Sequence, residues 1–423
     1  MNGRAALELV RFGANPLAYL DGLHDDERPI VPLMLGSQPV HLVTKPEHIA
    51  LALENDDWPP LSRGRLAAFR LWVPGSIVTT SGAEHHSQRD EIWKPLAADT
   101  AILDILVERT RRRADSWAHG APLELFSELQ SLCWAADWQA LCGGDLDAEP
   151  ELLAALRLGY DALVWLVLPF GERRWRLPLP QSRRTRAARD RLDAAVDRMV
   201  AERRHGAAAD DLLTTLVRTP GITDEQIRST FKSWFGTSLV FALVTWTLLL
   251  LARDADVEAR WHDELDRVLG ERAATAGDVD DLSYTTMVVH EVLRLVPPSW
   301  ALFRALTGDY SLDGHVIPAG HVLAVSPWFT HRDPRYWSDA LRFDPERFAP
   351  DAPSPPRLAY FPFSAGPYGC HGPKLALAEA VLVLATLGQR RSFRLVGPEP
   401  EPVAKWTVEP RGGARMASTA RRR

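Results

Sequence analysis

The stretch FPFSAGPYGCHG, residues 361–372, sets one cysteine, Cys370, among three glycines. Phe363 stands seven residues before it, and an apolar helical pattern, PKLALAEAVLVLATL (373–387), begins just after it. Gly366, Gly369 and Gly372 permit positive φ and close backbone approach, so the loop can wrap a ligand. The helix that follows places Cys370 near a helix N-terminus, where unpaired N–H groups and the helix dipole stabilise a thiolate. A lone cysteine is most often a small buried hydrophobe, which is the reading for Cys133 and Cys142 in LCWAADWQALCG (132–143). Cys370 differs from them in its surroundings.

Working outward, 423 residues suffice for a large core, and 46% hydrophobic with 25% charged residues is ordinary for a soluble globular chain. A formal net charge of −6 gives no footing for nucleic acid or an anionic membrane. Three cysteines argue against a disulfide scaffold and fit a reducing, cytoplasmic setting. The opening MNGRAALELVRFGANPLAYLDGLHDDERPI shows no signal-peptide core and no membrane anchor. Short β-like runs (PIVPLMLGSQPVHLVTK, 29–45) mix with short helices over the first 80 residues. From about Glu84 to Gly270 apolar residues recur at helical spacing. DEQIRSTFKSWFGTSLVFALVTWTLLLLARD (224–254) reads as one long helix, apolar nearly all round through its centre and buried in the core rather than spanning a bilayer. YSLDGHVIPAGHVLAVSP (310–327) returns to a strand-and-turn pattern, and RGGARMASTARRR (411–423) reads as a flexible, solvated tail. The expected architecture is a single mainly α domain over 1–423 with small β-sheets.

Cys370 has no histidine or cysteine partners at zinc-like spacing, and a single thiolate can serve as the axial ligand of haem iron. The pattern F-x-x-G-x-x-x-C-x-G, met by Phe363, Gly366, Cys370 and Gly372, resembles the haem-ligand loop of the cytochrome P450 family. HEVLRLVPP (290–298) carries Glu291 and Arg294, similar to the family's E-x-x-R pair, and FDPERF (343–348) supplies Arg347 as the third member of that ion-pair triad. EHHSQRDEIWKPL (84–96) resembles the helix whose His and Arg, here His85 and Arg89, meet the haem propionates; Arg304 in FRALTGDYSLDGHVIPAGHVL (303–323) resembles the arginine that joins them. The resemblance covers nearly the whole chain. It implies the P450 fold, with haem b held between a distal helix and the cysteine loop and Cys370 on the iron. Two positions depart from the pattern. Tyr368 stands where a cationic propionate partner is common, leaving a phenol that brings no charge, and Ser364 replaces a frequent glycine.

The distal helix departs further. Aligning Gly236 on the family's glycine puts Ser238 at the acid and Leu239 at the alcohol of the pair that guides protons to dioxygen; a one-residue slip brings Thr237 or Ser238 to the alcohol's position. No Asp or Glu occurs between Gln226 and Leu251, so the acid is missing in every register. Three readings stay open: a monooxygenase with atypical proton delivery, a haem-thiolate enzyme whose reaction does not start from O2 (peroxide-driven oxidation, rearrangement, dehydration or nitrogen-group transfer), and a non-catalytic haem sensor. By resemblance, Trp234, Phe235, Ser299, Trp300 and Ala301 face a largely apolar, possibly aromatic small-molecule substrate, with LSRGRLAAFRLWVPG (61–75) over the top. A monooxygenase of this kind takes electrons from a ferredoxin or flavodoxin, for which Lys94, Lys374, Arg390 and Arg391 are candidate docking residues.

Overall fold

The computed structural model describes residues 3–35, 38–60, 69–166, 171–206, 209, 211–312 and 314–421. Helices predominate, and four of them frame the site. Leu125–Cys142 and Asp224–Thr237 bring aromatic faces together; Ser283–Leu295 carries the E-x-x-R pair; Pro373–Arg390 follows the cysteine loop. Each is buried along much of its length, and the largest apolar cluster runs from Leu17 to Met416.

A four-stranded sheet, in the order Ile30–Leu35, Gln38–Val43, Val322–Val325, Leu302–Ala305, stands beside the helices. Its middle pair is parallel, with Val40 opposite Val322, and the edge strand is antiparallel, with Arg304 opposite Leu323. That register fixes where Arg304 enters the interior. A hairpin, Pro402–Ala404 with Val408–Pro410, reaches towards the distal helix.

Two expectations are overturned. The long helix at 224–254 is two helices, Asp224–Thr237 and Val240–Leu251, separated at Ser238 and Leu239. Ser238 is extended (φ −73°, ψ 99°), and its hydroxyl donates to the Asp137 carboxyl at 3.0 Å. Thr237 Oγ1 donates back to the Ser233 carbonyl at 2.8 Å. A hydroxyl that bonds a carbonyl one turn back loosens a helix, and here Thr237 does so beside a Ser238 drawn off to Asp137. By length and composition the stretch Asp224–Leu251 could cross a membrane, but 72% of its apolar window is buried inside the molecule.

The second correction concerns the C-terminus. Residues 415–420 are no tail but the central strand of a three-stranded sheet, between Pro122–Glu124 and Arg391–Leu395. Met416 and Ser418 point into the protein and are fully buried, and Arg421 pairs with Asp266 at 2.6 Å. Alternating burial on a short strand is a weak signal beside the surrounding arginines and glycines, so composition concealed it.

Candidate functional site

The cysteine loop is held by its own backbone. The Cys370 amide donates to the Phe363 carbonyl at 2.9 Å, and the Gly369 amide to Gly366 at 3.0 Å. Gly366 has φ +70°, and a Cβ there would sit 2.3 Å from the Leu53 carbonyl oxygen, so only glycine fits against the end of the helix Pro46–Glu54. Ser364 adopts φ +63°, which accounts for glycine being common at this place in the resemblance. Gly372 caps the helix that follows. Cys370 is open on one side while Gly369 beside it is buried. Loss of water on the closed sides pushes its thiol up; the backbone N–H groups of Gly372 and His371 and the nearby Arg89 pull it back towards the thiolate.

Beside this loop lie buried donors with nothing to bond. Arg304 is 3% exposed; its Nη1 donates to the Phe303 carbonyl, whereas Nε and Nη2 have no partner. Burial brings its guanidinium down to about 10. His85 uses Nδ1 on the Ile77 carbonyl at 3.0 Å, which leaves Nε2 buried and unpaired, and burial lowers its pKa. The Tyr368 ring lies between them, 4.7 Å from the His85 ring and 5.6 Å from the Arg304 guanidinium. Its hydroxyl is used elsewhere, donating to the Asp56 carbonyl at 3.2 Å, so the ring spaces the two donors. Arg89 enters from a π-type turn, Arg89–Trp93, and spends Nη1 on the carbonyls of Pro367 (3.0 Å) and Gly369 (2.8 Å). Arg89 therefore braces the cysteine loop. An exposed thiol on this loop, next to an unpaired guanidinium and an unpaired imidazole, fits a ligand with a metal centre and peripheral carboxylates.

On the distal side, Thr237 is the one exposed residue between Gln226 and Leu251. Leu239 packs against the main core. Thr237 is thus presented to open space, whereas Leu239 is half-buried. Ser238, half-buried beside it, bonds to Asp137. Phe235 is 2% exposed and packs on Trp134 and Trp138, so it belongs to the core rather than to a pocket. Trp234 stacks on Trp93 at 5.9 Å, and Trp93 in turn approaches His371 of the cysteine loop at 5.6 Å. Ser299, Trp300 and Ala301 are half-buried; the Trp300 indole donates to the Lys405 carbonyl and its ring meets Phe12. Residues 61–68 of the expected cover lie outside the described residues. Its described part brings in Phe69, which stacks at 5.4 Å on Trp406 of the 402–410 hairpin, and the Trp406 indole donates to the Gly236 carbonyl at 2.5 Å.

Beneath the loop, Arg294 binds Glu291 through two 2.7 Å hydrogen bonds and donates to the carbonyls of His331, Ala340 and Arg342, with both side chains fully buried. Arg347 comes within 3.6 Å of Glu291. Most of the expected docking cations are committed: Lys94 to Asp90, Arg390 to Asp115, and buried Arg391 to the carbonyls of Ala114 and Trp117. Lys374 is exposed.

Sequence reasoning passed over Asp137 and Glu379. Each is an acid flanked by apolar residues inside a buried helix, and that mismatch with its neighbours was the available signal. Trp406 carried no comparable mark.

The family model for cytochrome P450 matches residues 5–411. Cyclooctat-9-en-7-ol 5-monooxygenase of Streptomyces melanosporofaciens is 32% identical over 403 residues, which cover 90% of this chain and 86% of the relative. Pentalenene oxygenase of Streptomyces avermitilis is 28% identical over 429 residues, covering 96% and 93%. A cyanobacterial P450 solved with retinoic acid bound superimposes with a TM-score of 0.83 at 20% identity, over 95% of this chain and 94% of that one. The chain belongs to the cytochrome P450 family. It is an oxidoreductase of that fold, with haem b ligated through a cysteine thiolate.

Proposed function

We propose that Cys370 is the iron ligand, that Arg304 and His85 hold the haem propionates with Arg89 bracing the loop, and that the enzyme is a monooxygenase of a largely apolar terpenoid. The observation that carries the site is the pairing of an open thiol with buried, unpaired cationic and imidazole donors beside it. Neither Cys133 nor Cys142 competes, because both thiols are buried within the helix Leu125–Cys142 and have no open side. The substrate class rests on relatives whose names describe oxygenation of terpenoids. Bound haem supplies redox chemistry at the thiolate-ligated iron. The protein's part is to hold the propionates, shield the thiolate with backbone N–H groups, and cover the distal space with Trp406 and Phe69.

Proton delivery is atypical, because the distal segments themselves carry no carboxylate between Gln226 and Leu251. Electrons come from a ferredoxin or flavodoxin. We place the single domain in the cytoplasm, where its three unpaired cysteines stay reduced. Cys370→Ala should abolish the long-wavelength ferrous–carbonyl band of thiolate-ligated haem; an unchanged band would overturn the assignment. Product analysis on terpene alkenes, comparing O2 plus reductant with peroxide alone, tests the reaction. Product from peroxide but none from O2 would replace the monooxygenase reading.

A further inference from the structure

Two buried acids lie behind the distal break, close enough for Asp137 to act on Glu379 electrostatically. Asp137, from the helix Leu125–Cys142, is 3% exposed and accepts the Ser238 hydroxyl at 3.0 Å. Glu379, from the helix Pro373–Arg390, is 6% exposed, and its Oε1 has no hydrogen-bond partner. The groups acting on the two carboxyls are each other, Ser238 and the Trp234 indole, which lies near Asp137 without forming a hydrogen bond. Cys133, one turn before Asp137, feels both acids. No basic side chain is among them. Two ionised carboxylates buried this way, with no basic side chain facing them, would repel each other, so the pair keeps a proton. Burial drives both the same way: Asp137 up to about 7 and Glu379 well above the usual carboxylate range.

We propose that Asp137 and Glu379 share one proton and that Asp137 relays it through Ser238 to the open side of the distal break, where Thr237 stands. The acid that the distal helix lacks is thus supplied by its neighbours, as an acid–alcohol pair assembled from separate helices. The inference rests on the haem lying between the cysteine loop and the distal break. Only protons move. The Asp137 O–H bond breaks as a new one forms at Ser238 Oγ, and the original Ser238 proton passes to water on the Thr237 side. A proton taken up from solvent on the side of the pair away from Ser238 restores the carboxyl. Asp137 and Ser238 are relay residues, and Glu379 positions the shared proton.

The test uses the haem-loaded full chain and the variants Asp137→Asn, Asp137→Glu, Glu379→Gln and Ser238→Ala. Infrared difference spectra between about pH 5 and about pH 9 should show a titrating protonated-carboxyl band that Asp137→Asn removes. With a plant-type ferredoxin and its reductase supplying electrons, the share of consumed oxygen released as peroxide is then measured, together with the solvent deuterium isotope effect. Asp137→Asn and Ser238→Ala should cut the share reduced beyond peroxide by about tenfold or more, and Asp137→Glu should recover part of it. An unchanged ferrous–carbonyl band in the variants shows that the haem seat is intact. The relay is overturned if Asp137→Asn keeps wild-type coupling and isotope effect, if no titrating carboxyl is found, or if the wild type already releases all its oxygen as peroxide. The infrared titration needs no turnover, so it judges the shared proton separately from the Cys370 assignment, which the carbonyl spectrum reports.

Discussion

At the scale of single residues, the unpaired nitrogens of Arg304 are the most direct sign of an anion in this protein. A guanidinium buried with two of its nitrogens unbonded is costly, and a propionate would remove that cost. Arg304→Leu should therefore weaken haem retention by about 1.5–3 kcal/mol, roughly ten- to a hundredfold, read as the rate of haem transfer to apomyoglobin. Arg89→Leu should act differently. Because Arg89 holds the carbonyls of Pro367 and Gly369, its loss should disturb the thiolate spectrum as well as haem content. Asp137 gives a pH-dependent prediction. Its folded pKa of about 7 lies above the ordinary unfolded value near ~3.9, so between those pH values the native state holds a proton that the unfolded state has lost. Stability falls as pH rises through that window. Asp137→Asn should flatten the fall and gain on the wild type by on the order of a few kcal/mol between pH 4 and pH 7, measured by urea unfolding.

At the scale of elements, the cysteine loop and the distal break are each decided by one close approach. Gly366→Ala should push the loop off the end of the helix Pro46–Glu54, since the new Cβ meets the Leu53 backbone as well as an unfavourable positive φ. Gly82 also has positive φ, but open space lies beyond its Cβ position, so Gly82→Ala isolates the conformational part of the cost. We expect about 1–2 kcal/mol for Gly82→Ala and about 2–5 kcal/mol for Gly366→Ala, the latter accompanied by loss of haem. The glycine spacing around Cys370 was legible because local backbone conformation demands it. The break at Ser238 was not, because its cause is a carboxyl 101 residues away in sequence. Helical periodicity sees neighbours within a turn or two and nothing of what the far side of a helix meets.

At the scale of the whole molecule, long-range ties hold the haem region together. Arg294 gathers carbonyls from residues 331 to 342 under one buried ion pair. Glu291→Ala leaves that guanidinium uncompensated and should cost about 3–5 kcal/mol in unfolding free energy. Removing residues 414–423 should be comparably damaging. It deletes the strand between Pro122–Glu124 and Arg391–Leu395 and leaves Glu124 without the Ala414 amide it accepts at 2.7 Å. A truncated chain that keeps its haem and its thermal midpoint would show this strand to be dispensable. Residue pattern alone sufficed for the glycine-built cysteine loop, the Glu291–Arg294 pair and the mainly α class. Those features depend on residue type and on contacts within a few residues. Tertiary structure alone decided that Phe235 is core, that the Tyr368 hydroxyl bonds the Asp56 carbonyl, that Arg390 and Arg391 are spent internally, and that an acid stands behind the distal serine. Each of those turns on which distant side chain occupies the facing space, and local pattern holds no record of that.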